Sequence, residues 1–195
     1  MSAGSARRAR VGASRFLLGS ALITLGAVLV PHMIGVVPVL FGIGVVPVLI
    51  GLALILPKES VKATLHTGAV AHHQVGDPTG PAGIGVVLRS ESGEVLGEIS
   101  KSIGVSTNTA ADYTALIEGL EMARDRGVDE INVFVDSAVV AGHLVEGHGV
   151  RAHHLRPLVE SVRQELDSFQ RWSLTRVPRK LNVEADKLAS LGSSS

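Results

Sequence analysis

The stretch INVFVDSAVV, Ile131–Val140, decides how the rest of the chain is read. Ile131, Val133 and Val135 alternate with Asn132, Phe134 and Asp136, the period of a strand with one buried face. The strand ends on a carboxylate, and a second apolar run, Ala138–Glu146, follows at once with the character of a short helix. By the ordinary rules an acid at such a junction is a helix cap or a turn former. It becomes a functional group only where other segments bring matching chemistry to the same sheet edge.

The flanking segments supply the elements of such a sheet. Upstream, Ala63–Val70, Ile84–Arg89 and Val95–Ile103 read as strands, with the loop DPTGPAG (Asp77–Gly83) and the turn ESGE between them. Ala110–Asp125 has helical spacing, with Leu116, Leu120 and Ala123 on one face and Thr107–Thr109 offering caps. Downstream, Pro157 opens a helix whose face holds Val159, Val162, Leu166 and Phe169. Trp172–Val177 is a last strand, and Asn182 is placed to cap a final helix through Leu191. The order β-β-β-α-β-α-α-β-α predicts an α/β domain: a mixed five-stranded sheet with flanking helices.

The 195-residue chain has no formal net charge, but its charge is unevenly placed. Residues 1–56 hold four arginines (Arg7, Arg8, Arg10, Arg15) and no Asp, Glu or Lys, so the remainder carries a net charge of −4. Charge alone therefore predicts no strong general attraction to nucleic acid, and any such contact is local. The absence of cysteine excludes disulfides, zinc thiolates and cysteine nucleophiles. One Trp, one Tyr and four Phe are too few for a base-stacking platform.

From Phe16 to Leu56 the chain has no Asp, Glu, Lys or Arg. One membrane span needs roughly 20 apolar residues, so this length predicts a two-helix transmembrane hairpin. The spans fall at Phe16–Val30 and Val39–Leu56, reversing around Pro31, His32, Gly35 and Pro38. The arginines before it and Lys58 and Lys62 after it predict that both ends face the cytoplasm. The expected layout is a basic cytoplasmic tail (1–15), the hairpin (16–56), a linker (57–62), the α/β domain (63–191) and a short tail (192–195), located at the cell membrane. GVVPVL occurs at Gly35–Leu40 and Gly44–Leu49, and two copies do not make a repeat architecture.

Three acids stand at comparable places: Asp112 in the first turn of the first long helix, Asp136 at the strand end, and Asp186 in the first turn of the last helix. An acid in a first turn favours the helix dipole. Yet Asp112 and Asp186 each follow Ala in an apolar setting, AADYTALI and VEADKLAS. Carboxylates converging from separate segments suit magnesium or manganese, which take oxygen ligands and keep open positions for water or phosphate. His143, His148, His153 and His154 cluster before Pro157 and suit either a solvated loop or a zinc site.

Three segments, TNTAADYTALIEGLEMARDRGVDEINVFVDSAVVAGHL, LRPLVESVRQEL and RVPRKLNVEADKLAS, resemble the type 1 ribonuclease H family, particularly its reverse-transcriptase-like subgroup. The resemblance spans roughly Thr64 to Ser190. It implies the ribonuclease H-like sheet and cleavage of the RNA strand of RNA–DNA hybrids with two Mg2+ (or Mn2+) ions held by four carboxylates. Asp136 and Asp186 match two of these, and Asp112 stands where the family usually has Glu. All three are the implied catalytic and metal-binding residues. Asn108 resembles the family's Asn that reads the hybrid's minor groove, where the 2′-hydroxyl marks RNA. Arg156, Arg179, Lys180 and Arg151 are candidate phosphate contacts.

The sequence departs from the pattern at the first strand. The family has an Asp-Gly pair there, then a loop and GPAGIG. This chain has TLHTGAVAHHQVGDPTGPAGIGVVL, in which Gly80–Gly85 match. Thr67 precedes Gly68, or the Asp is deleted between them. The lost acid is expected to bridge the two ions, with Asp77, His66, His72 and His73 as possible replacements. Two functions follow: a membrane-tethered hybrid ribonuclease, or a catalytically degenerate module that binds nucleic acid or protein.

Overall fold

The computed structural model describes residues 5–9, 59–73 and 75–195. The sheet and its helices lie in the unit formed by Met1–Gly12 and Ser60–Ser195. The expected hairpin falls on residues outside those described. Among the described residues no helix is long and apolar enough to cross a membrane.

Strands β1 (Ser5–Ala9), β2 (Lys62–Ala71), β3 (Thr79–Ser90), β4 (Val95–Thr107), β5 (Glu130–Val135) and β6 (Arg171–Arg176) form one mixed sheet. Their order is β1-β6-β5-β2-β3-β4. The five expected strands are all present. The sixth, β1, comes from the basic N-terminal stretch and pairs antiparallel with β6. It is too short and too charged to show strand periodicity, and pairing with an open sheet edge decides its conformation. β2, β5 and β6 run parallel, whereas β2, β3 and β4 form an antiparallel meander.

Ala9 pairs with Arg171, Arg171 with Glu130, and Glu130 with Lys62, so these four residues form one row across the sheet. β1 ends and β2 begins at this end of the sheet. Asp136 follows β5 at the opposite end.

Helices α1 (Asn108–Asp125), α2 (Ala138–Leu144), α3 (Arg156–Asp167) and α4 (Val183–Ser193) complete the domain. The expected core faces are buried: Leu116, Leu120 and Ala123 of α1, and Val159, Val162 and Leu166 of α3, with Phe169 just beyond. They pack with Leu65, Val133 and Leu174 of the sheet in one cluster. Burying each such large aliphatic side chain contributes roughly 1.5–3 kcal/mol before conformational entropy is counted. Thr107 caps α1, accepting a hydrogen bond from the Ala110 amide at 3.2 Å.

Three local expectations change. The segment expected as the loop Asp77–Gly83 is largely strand, because β3 already starts at Thr79. Its glycines serve close packing as well as turning. A Cβ on Gly83 would lie 2.3 Å from the Ala189 carbonyl oxygen, and one on Gly85 would lie 2.0 Å from that of Ala185. α4 thus rests directly on the backbone of β3, and only glycine leaves room for it. α1 starts at Asn108, two residues earlier than expected, so Asp112 lies beyond the first turn and the dipole explanation for it weakens. Asn182 occupies the N-cap position of α4, but its side chain makes no capping bond.

Candidate active site

The three acids come to one end of the sheet from three directions. Asp136 follows the last residue of β5. Asp112 is carried by α1, whose Gly119 approaches Leu65 and Val86. Asp186 is carried by α4, which covers Gly68, Gly83 and Gly85. Leu65 and Gly68 point to opposite faces of β2 by strand alternation, so the two helices reach the same edge from opposite sides.

Asp112 feels the charges of the other two acids, and Asp136 feels that of Asp186. Burial pushes the Asp112 carboxyl up to about 7, with the charges of Asp136 and Asp186 adding and a hydrogen bond with Ser137 opposing. Asp136 is also raised, by burial first and then by Asp186, while Arg179 and a hydrogen bond with Asn182 oppose. Like charges held near one another in partial burial resist joint ionisation. Asp186 is the anchored member: its Oδ2 accepts from Arg179 Nε at 2.6 Å. Its Oδ1 is buried and has no hydrogen-bond partner. That oxygen lies over Gly68, 3.1 Å from where a Cβ would stand.

Asn182, read from sequence only as a cap, organises this edge. It is 2% exposed. Its Nδ2 donates to the Thr67 carbonyl at 2.8 Å, its Oδ1 lies 3.3 Å from His66 Nδ1, and its amide also bonds Asp136. One side chain thereby joins the start of α4 to β2 and to the end of β5. The available signal was its place four residues before Asp186 in LNVEAD.

Thr67 stands where the family acid is expected. It pairs with Val86 on one side and Val135 on the other, and β2 keeps unbroken register with both neighbours. Thr67 is buried at 4% exposure.

The possible replacements are engaged elsewhere. Asp77 Oδ1 accepts from both the amide and the hydroxyl of Thr79, at 2.8 and 2.7 Å. His66 stacks on Phe134 with centroids 4.8 Å apart. Burial holds its pKa below the usual histidine value. His72 Nε2 lies 3.1 Å from Ser193 Oγ, and His73 is exposed. The other histidines do not form a metal centre. His143 Nδ1 lies 2.7 Å from the hydroxyl of buried Tyr113, His148 faces Glu146 at 3.6 Å, and His153 and His154 are exposed.

Of the candidate nucleic-acid contacts, Asn108 uses its carbonyl oxygen to accept from the Ala71 amide at 2.7 Å, which leaves its NH2 free to donate outward. Arg156 and Lys180 are exposed. Arg179 is two-thirds exposed beyond its bond to Asp186.

Among the described residues no three Asp, Glu or His side chains already stand close enough to hold a cation. The donor set nevertheless fits one. Asp136 and Asp186 raise the proton affinity of Asp112, Asp186 raises that of Asp136, and a buried carboxylate oxygen lacks a partner. Asp112, Asp136 and Asp186 are the residues that would hold a hard divalent ion.

The profile of the reverse transcriptase-like family matches residues 73–192. The chain belongs to this family. As a member of the reverse transcriptase-like family it is 41% identical over 115 residues to ribonuclease HI of Halobacterium salinarum, covering 59% of this chain and 57% of that protein. It is 36% identical over 116 residues to a bifunctional protein of Mycobacterium tuberculosis, covering 32% of that relative. The chain thus spans little more than half of one relative and a third of the other.

Among solved structures, the ribonuclease H domain of the mycobacterial protein superposes with a TM-score of 0.63 at 31% identity, covering 67% of this chain and 97% of that one. Ribonuclease H1 from H. salinarum gives 0.61 at 35% identity, covering 68% and 96%. A complex of LC11-RNase H1 with RNA/DNA hybrid gives 0.60 at 32% identity, covering 66% and 94%. The ribonuclease H fold is thereby shown. The family match begins at His73, past the strand that holds Thr67.

Proposed function

We propose that the domain is a ribonuclease H-like hydrolase that cuts the RNA strand of RNA–DNA hybrids internally. The observation that carries this reading is the mutual electrostatic influence of Asp112, Asp136 and Asp186, carried to one sheet end by α1, β5 and α4, in a fold with a 41% identical ribonuclease HI relative. Magnesium or manganese bound there would supply activation of water and stabilisation of the leaving oxygen. The chain's own groups hold the carboxylates in place: Ser137 bonds Asp112, Asn182 bonds Asp136, and Arg179 bonds Asp186. Arg156, Lys180 and the free edge of Arg179 meet phosphates, and Asn108 donates into the minor groove at the 2′-hydroxyl.

The proposal includes tethering of the domain to the cell membrane by the uncharged stretch 16–56, facing the cytoplasm. The chain leaves β1 and enters β2 at the sheet end remote from Asp136. Retention of the full chain in alkali-washed membranes tests this, with release overturning it.

Cleavage is tested by incubating the full chain with an end-labelled hybrid in magnesium and in manganese, beside Asp136→Asn. Internal cleavage by the parent and none by the variant is expected. Thr67 favours a second reading, a degenerate module. Hybrid binding with no cleavage in either metal would establish that one.

A further inference from the structure

We propose that this site takes one divalent cation rather than two, with the Arg179 guanidinium standing in the electrostatic place of the second. The inference rests on reading the site as a nuclease centre, and concerns how this chain departs from the four-carboxylate, two-ion arrangement.

The first ground is the unbroken register of β2. Thr67 faces Val135 in parallel pairing, one residue before Asp136, and Val86 in antiparallel pairing. No neighbouring acid slides into its place, and Asn182 pins its carbonyl from α4. An un-ionised hydroxyl there brings no negative charge, and is a far weaker bridge between two hard cations than a carboxylate.

The second ground is charge. Ionised Asp112, Asp136 and Asp186 together with Arg179 carry −2, which one divalent cation neutralises. A second cation would leave the same charge in excess, with one carboxylate fewer to hold it. Repulsion between two divalent ions a few ångströms apart is tolerable only where carboxylates lie between them.

The third ground is the state of Asp186. One oxygen is committed to Arg179 at 2.6 Å, and the other is buried without a partner. A carboxylate in the two-ion role needs its oxygens for cations. Here one oxygen already serves a fixed positive charge, and the single free one lies over Gly68. Arg179 precedes α4 on the turn Arg179–Leu181 and is mostly exposed, so its remaining donors are open to solvent. A guanidinium bonded to an acid on one edge and open on the other can neutralise carboxylate and phosphate together.

The test counts manganese bound to the full chain by electron paramagnetic resonance of the free ion. It uses the parent, Arg179→Gln, and the double variant Thr67→Asp/Arg179→Gln. One ion per chain is expected for the parent and two for the double variant. Two ions or none in the parent overturns the proposal, as does a correctly folded double variant that still takes one. Should the buried Thr67→Asp change prevent folding, Arg179→Gln at an exposed side chain decides. Losing the fixed charge should tighten the single ion by roughly tenfold, and an unchanged or weaker affinity overturns the role given to Arg179. Binding of a fluorescent hybrid in the presence of chelator, measured against duplex DNA, keeps the two readings apart. A protein with no hybrid preference fails as a ribonuclease H whatever its stoichiometry, whereas hybrid binding with two ions in the parent refutes only the single-ion site.

Discussion

β2 and β5 are adjacent parallel strands of the same sheet, and each brings one residue to the candidate site. Just past the end of β5 stands Asp136, whose carboxyl is half-buried and raised by burial and by Asp186. β2 brings Thr67, buried, paired on both sides and tied through its carbonyl to Asn182. The backbone geometry is kept in both strands, and the acid is kept in only one. Strand pairing uses peptide groups, which are indifferent to whether a side chain is acid or alcohol. Cation chemistry depends on that choice entirely.

The largest expected effect comes from removing the acid on the β5 side. Altering outer partners of a metal ligand typically costs roughly 10–100-fold, so Asp136→Asn should lower hybrid cleavage by more than about 100-fold. A single-turnover assay checks this, and circular dichroism should show an intact fold.

Next in size is the effect of pH on the cation-free protein. Folding raises Asp112 from 3.8 to about 7. Between these values the folded state binds more protons than the unfolded one, so stability falls as pH rises through that window. The loss is at most about 4 kcal/mol. Urea midpoints at pH 4, 5.5 and 7.5 read it, and Asp112→Asn should flatten most of the slope.

Two substitutions test how the β2 side is held. Gly85→Val places side-chain atoms against the backbone of α4 and should destabilise by about 3 kcal/mol, displacing Asp186 as well. Asn182→Ala leaves the Thr67 carbonyl without its donor and should cost about 2 kcal/mol in the same denaturation experiment. It should also lower cation affinity, because Asp136 loses a hydrogen bond. The smallest effect is expected for Thr107→Ala at the α1 cap. That change costs about 1 kcal/mol and leaves cation affinity unchanged, since the cap lies outside the hydrogen bonds of the three acids.

The elements between Lys62 and Ser193 were legible because their periodicities are strong. β5 alternates cleanly, and α3 places Val159, Val162 and Leu166 on one stripe. β1 was not legible: SARRA has no periodicity, and its conformation comes from the edge of β6. The strand start at Thr79 was hidden because glycine and proline ordinarily mark loops, and here glycine makes room for α4. Asp112, Asp136 and Asp186 were visible as residue types in matching positions. The part played by Asn182 was not, because its partners Thr67 and His66 lie 115 and 116 residues away in the chain.

By itself the sequence determined the order of elements, the buried faces, the three candidate acids and the loss of a fourth, because these depend on residue type and local spacing. Tertiary structure alone decided that Thr67 is buried in regular pairing between two strands, that Asp77 is bonded to Thr79 and His66 is stacked on Phe134, and that Arg179 turns one edge to Asp186. Register is a property of paired backbones, and the partner a charged side chain selects depends on distances set by strands and helices far apart in the chain.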